Sequence, residues 1–224
     1  MSRHADWIVP DWPAPAHVRA LITTRSGGVS SGPFRGLNLG LRTGDDPQCV
    51  AENRTRLRGA LPQEPKWLRQ VHGTGVVEAD GLDAVPEADA SLARRPGTVC
   101  AVMIADCLPV LLCDRAGTLV AAAHAGWRGL AGGVIENTVQ AMRRAGAAPA
   151  ALLAYLGPAI GPGAFEVGAD VLDAFVRRDP GAAQAFAPHG GAKWLADLFM
   201  LARRALARSG VEAVYGGGLC TYSD

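Results

Sequence analysis

Two histidines and one cysteine in this sequence stand where strand-like runs stop. His72 closes the run 68–72 before Gly73, Cys107 closes 101–107 before Leu108-Pro109, and His124 closes 119–124 before Ala125-Gly126. One such residue alone reads as a packed or hydrogen-bonded side chain. Together they offer two imidazoles and a thiolate, a donor set suited to Zn2+, and a catalytic zinc keeps three protein ligands and one open position. The spacings of 35 and 17 residues match no compact finger motif, so the three donors have to converge from separate strands. The same atoms allow a metal-free reading, with Cys107 as a nucleophile activated by His124 beside Asp106. That reading leaves His72 without a task.

The framework that positions these residues is bounded by composition. A chain of 224 residues with 49% hydrophobic content is long enough for one large domain and a substantial core. A formal net charge of +1 gives no global field for nucleic acid or a membrane surface, so neither is expected as a partner. The first fifteen residues are broken by charge and proline, and no run approaches the ~20 apolar residues of a membrane span. Five cysteines, odd in number and scattered, argue against a disulfide framework and for a cytoplasmic location.

Alternation and turn residues predict strands at 18–24, 67–71, 75–78, 99–104, 110–113, 119–123, 152–156 and 214–218. Helical periodicity predicts helices at 47–61, 130–145, 168–178 and 193–209. Asp45-Asp46 before Pro47 suits the start of the first helix. The expected fold class is α/β or α+β: a single domain over residues 1–224, with mixed sheets flanked by helices. No internal repeat or linker is visible.

Gln70-Val71-His72-Gly73, Ala105-Asp106-Cys107-Leu108-Pro109 and His124-Ala125-Gly126-Trp127-Arg128-Gly129 together resemble motifs of the YfiH family, also called the laccase-domain or multi-copper polyphenol oxidase family. Further matches are Thr24-Arg25-Ser26-Gly27-Gly28-Val29-Ser30, Leu37-Asn38-Leu39-Gly40, Gly44-Asp45-Asp46-Pro47, Gly157-Pro158-Ala159-Ile160-Gly161 and Phe165-Glu166-Val167. They occur in family order over nearly the whole chain. The resemblance implies a fold similar to the deamidase domain of cytotoxic necrotizing factor toxins. It also implies zinc-dependent phosphorolysis of adenosine, inosine and S-methyl-5'-thioadenosine, with deamination of adenosine, and His72, Cys107 and His124 as metal ligands. The older family names imply copper-dependent phenol oxidation, and a role in peptidoglycan editing has also been attached to the family. A C-terminal strand and arginine-containing tail beyond Gly218-Leu219-Cys220-Thr221 are implied as well, and the sequence stops at Asp224 without them.

These activities set requirements that the residues can be matched against. Deamination needs a carboxylate to carry a proton, and Asp106 and Glu166 are the candidates. Phosphorolysis needs an anion site, for which Arg128 at a helix start and Arg25 in a Gly/Ser loop are suited. Trp127 could stack on a purine, and Asn38 and Gln70, within the matched motifs, are further candidates for contact with nucleoside or phosphate. Several copper centres would need many histidines, whereas this chain has five, with His4, His17 and His189 outside the motifs. A single N/S site can still take up Cu2+ in vitro.

Overall fold

The centre of the fold is a pair of antiparallel strands, β3 (Leu108–Asp114) and β4 (Val120–Ala125), both buried almost throughout. Their register is set at the turn, where the Asp114 carboxylate accepts hydrogen bonds from the Thr118 and Leu119 N–H groups at 2.7 and 2.8 Å. That register places Pro109 opposite His124. The structure, a computed structural model, describes residues 6–224.

Around this pair, β1 (Val76–Glu78), β2 (Ala90–Ala93), β5 (Leu152–Leu156) and β9 (Ala213–Gly216) complete a six-stranded mixed sheet in the order β1-β2-β4-β3-β5-β9. The outer pairs β1–β2 and β5–β9 are parallel and the inner pairs antiparallel. A second, three-stranded antiparallel sheet is formed by β6 (Glu166–Val167), β7 (Phe186–Pro188) and β8 (Trp194–Ala196). The chain is thus a single α+β unit with mixed sheet and helices, in line with the expected class.

The faces of the sheet do different work because side chains alternate along a strand. Leu108, Val110 and Leu112 of β3 and Ala121, Ala123 and Ala125 of β4 join one core with α3 (Val134–Arg144) and α5 (Leu198–Arg208). Fully buried Ile135, Met142 and Leu206 anchor the helices there, each worth about 1.5–3 kcal/mol of apolar burial. His124 stands out of step with Ala123 and Ala125 and so falls on the opposite face. Trp12 meets Tyr155 of β5 edge to face at 6.1 Å, outside that helix-packed core.

Helix α1 (Pro47–Gly59) begins as expected: Asp46 accepts from the Gln48 N–H at 2.8 Å and Pro47 occupies the first turn. The segment 130–145, expected as one helix, is two: α2 (Trp127–Gly132) and α3, broken at Gly133, whose φ of 105° is left-handed. Helix α4 (Ala169–Val176) follows expectation. The segment 193–209 divides into β8 and α5, because Asp197 caps the helix by accepting from Met200 N–H and frees 194–196 to pair with β6 and β7. Segments 18–24, 67–71 and 99–104 form only isolated bridges rather than ladders. Gln70 instead stitches the last two together, its amide donating to Met103 O at 2.8 Å and accepting from Met103 N at 2.7 Å. No helix among the described residues is long and apolar enough to cross a membrane.

Asp179 clamps the helical layer. It accepts two hydrogen bonds from Arg204 at 2.8 Å each, one from Arg208, and one from the Gly181 N–H at the start of the 3-10 helix Pro180–Ala185. The Arg204 bonds, with the Arg208 and Arg204 charges, hold its carboxyl below the usual range against the cost of burial. A depressed folded-state pKa stabilises above the unfolded value and loses that contribution as pH falls through the folded value. Asp179→Asn should therefore lower the melting temperature at pH 7 by roughly 2–4 °C. The gap to the parent should close in acid below about pH 3.9, the unfolded value, and an equal gap at pH 7 and pH 2.5 by calorimetry would exclude this role.

Candidate metal centre

The second-to-last residue of β4, His124, is 3% exposed and points its ring to the face away from the helices. Its Nδ1 lies 2.8 Å from Oδ1 of Asp89, which is fully buried immediately before β2. A carboxylate accepts only, so Nδ1 carries the proton and Nε2 presents its lone pair. The same carboxylate accepts from the backbone N–H groups of Val71, His72 and Gly73 at 3.2, 3.0 and 2.7 Å. Those bonds hold His72 at φ +59°, a left-handed conformation that costs an L-residue of this kind of order 1–2 kcal/mol. His72 is therefore not the end of a strand. It is a strained corner whose ring is turned back toward His124, with ring centroids 4.8 Å apart at 77°.

Cys107 comes from a third direction. It precedes the first residue of β3 rather than ending a strand, and its Sγ lies 3.7 Å from His72 Nε2. Ligand atoms of His72, Cys107 and His124 all lie within 4.8 Å of one another. Zinc bond lengths near 2.0–2.1 Å to nitrogen and 2.3 Å to sulfur put tetrahedral N and S ligands roughly 3.5 Å apart, close to the His72–Cys107 separation. The donor set and this spacing fit a divalent ion with one side open, since His72 is exposed and His124 buried. It is the one such group among the described residues, and His4 lies outside them.

Glycines close the site from above. A Cβ on Gly126 would lie 2.8 Å from both Cys107 Sγ and His72 Cδ2, and one on Gly129 would lie 2.7 Å from Gly73 O. Gly126 has φ −61°, so its absent side chain serves close approach rather than unusual backbone. Burial pushes the Cys107 thiol up, with the Asp106 and Asp89 charges adding to it. Burial also pulls His124 down, outweighing the Asp89 hydrogen bond and charge, which raise it; His72 lowers it further. An activated Cys-His nucleophile needs a depressed thiol pKa. The thiol here is shifted the other way, so it is not activated as a free nucleophile.

The remaining candidate residues differ in what they hold. Asp106 accepts from Thr221 Oγ1 at 2.7 Å and its carbonyl accepts from Ile160 N–H at 2.9 Å, so it ties the Cys107 segment to the C-terminal turn. Arg25 donates twice to Arg35 O, and Asn38 bonds Thr43, Asp45 and the Gly40 N–H. With Gln70 joined to Met103, these three side chains hold loops. Glu166 lies on the small sheet, facing His189 and Lys193 at 3.7 and 3.6 Å. Trp127 is half-buried against the core, and Arg128 is exposed with its guanidinium 4.3 Å from the Trp127 ring centroid. Among the described residues Arg128 has no hydrogen-bond or ion-pair partner, which separates it from Arg25.

Residues 19–224 match the family model described as multi-copper polyphenol oxidoreductase laccase. The chain belongs to this family. Purine nucleoside phosphorylase PA4543 of Pseudomonas aeruginosa is 57% identical to it over 97% of this chain and 89% of its own length. Purine nucleoside phosphorylase YfiH of Escherichia coli is 56% identical over the same shares. Among solved structures, Neisseria meningitidis protein NMB0706 superposes with a TM-score of 0.92 at 55% identity, covering 96% of this chain and 88% of that one. The YfiH protein of Bacillus licheniformis gives 0.85 at 30% identity, covering 91% and 82%. Within this YfiH-like family, the residue that sequence reasoning missed here is Asp89. Its only signal was an acid among the small residues Ala88, Ala90 and Ser91.

Proposed function

We propose that the chain is a zinc-dependent purine nucleoside phosphorylase acting on adenosine, inosine and S-methyl-5'-thioadenosine, with adenosine deaminase activity at the same site. The observation that carries this reading is the convergence of His72, Cys107 and His124, in a chain 56–57% identical to relatives named purine nucleoside phosphorylase. His72 Nε2, Cys107 Sγ and His124 Nε2 would hold the ion, which supplies Lewis-acid polarisation of a substrate atom when bound.

The protein's own residues divide the remaining work. Phosphorolysis breaks the bond between ribose C1′ and the purine nitrogen and forms one from C1′ to a phosphate oxygen, so an anion must be held at the sugar. Arg128, braced on Trp127 and without a hydrogen-bond or ion-pair partner among the described residues, is the side chain assigned to it. Deamination exchanges the C6 amine for oxygen and requires a proton to reach the departing ammonia. Asp106, exposed beside Cys107, is the carboxylate assigned to that transfer.

Incubation of the purified protein with adenosine and phosphate tests the reading directly. Adenine with ribose 1-phosphate, and inosine without a phosphate requirement, are the expected products. Absence of all of them from metal-replete protein would reject it. Arg128→Ala should raise the KM for phosphate roughly tenfold or more, the size of a lost charge-assisted hydrogen bond. Deamination and metal content should stay unchanged, and an unaltered phosphate dependence would return Arg128 to a packing role.

A further inference from the structure

We infer that Asp89 is the positioning residue that shapes this site before any metal arrives, by orienting both histidines at once. The inference rests on the metal reading above. Its basis is one fully buried carboxylate shared between two ligands: Oδ1 takes the His124 Nδ1–H and the His72 N–H, and Oδ2 takes the Val71 and Gly73 N–H groups. One arm fixes the His124 tautomer, so that Nε2 is free to donate. The other arm fixes the left-handed corner, so that the His72 ring returns to within 3.7 Å of Cys107 Sγ. His124 N–H also donates to the Asp89 carbonyl at 2.7 Å, so ring and backbone are both registered on the same residue. Outer partners of this kind hold ligand orientation and make ligands more basic.

Asparagine has nearly the same shape but one acceptor and one donor end, and either orientation fails. With its oxygen toward His124, the amide NH2 faces the Val71 and Gly73 donors and the corner loosens. With the NH2 toward His124, Nδ1 must accept, the proton moves to Nε2, and the lone pair intended for the metal is lost. Asp89→Asn should therefore weaken zinc binding about 10–100-fold in chelator competition, with a corresponding loss of turnover.

A purely structural Asp89 would lower only the melting temperature, so the deciding readout is the imidazole tautomer. Long-range 1H–15N spectra of metal-free protein should show His124 as Nδ1–H in the parent. In Asp89→Asn they should show a shift toward Nε2–H or averaging of His72. Parent-like zinc affinity and tautomer in a folded Asp89→Asn would overturn the inference. If that variant does not fold, the parent spectrum decides alone, since an Nε2–H His124 there would overturn it. A parent that shows Nδ1–H but takes up no zinc would reject the metal reading while supporting the orienting role of Asp89.

Discussion

Cys107→Ala is expected to remove zinc binding and nucleoside turnover together, whereas Cys100→Ala and Cys113→Ala retain both. The three thiols differ in what surrounds them. Burial pushes Cys113 up to about 12 and Cys100 up to about 11, so both stay protonated and serve as small apolar groups. Cys113 is fully buried in β3 and Cys100 sits at the bridge to Lys66. Trimming Cys113 should cost about 1 kcal/mol of stability, as modest core truncations do. Cys107 is instead 3.7 Å from an imidazole nitrogen. Its removal should weaken zinc by more than the roughly 10–100-fold expected for loss of an outer partner. Metal analysis, steady-state turnover and thermal melts on all three variants separate these roles. Equal loss of activity in all three at unchanged folding would refute the assignment.

Gly126→Ala carries the second large effect, because it adds one methyl group and no charge. The backbone at Gly126, with φ −61° and ψ 156°, accepts alanine without strain. The new Cβ would meet Cys107 Sγ and His72 Cδ2 at 2.8 Å, closer than van der Waals contact permits, so one or both ligands must move. A shift of a few tenths of an ångström in two of three donors spoils the tetrahedral spacing. Zinc affinity should fall at least tenfold while the melting temperature of the metal-free protein changes little. Gly146→Ala provides the comparison: nothing lies within 4 Å of its Cβ, but its φ of 107° is left-handed. It should therefore lose stability and keep metal affinity. Unchanged zinc affinity in Gly126→Ala would mean that the ligands lie apart when metal is bound.

The three donors were legible in the sequence because each closes a strand-like run, a coincidence that packing alone does not require. The way they meet was less so. Cys107 and His124 flank a hairpin whose apolar strands announce themselves, but His72 reaches the site through a left-handed corner held by a residue seventeen positions away. No local pattern encodes that. Strand β2 escaped notice because Ala90-Ser91-Leu92-Ala93 has no β-branched or aromatic residue. Asp89 was hidden with it. The small sheet has strands of two or three residues, below the length at which alternation shows. Gly133 splits a helix that periodicity joins, although the pair Gly132-Gly133 is itself a turn signal, so this break was readable in the sequence.

The most direct measurement of the central claim is anomalous diffraction at the zinc edge from crystals of the purified protein supplied with zinc. The account predicts one peak among His72, Cys107 and His124, about 2.0–2.1 Å from each imidazole Nε2 and about 2.3 Å from Sγ. Asp89 should still be bonded to His124 Nδ1. No peak there, or a peak that excludes any of these three atoms, would contradict it.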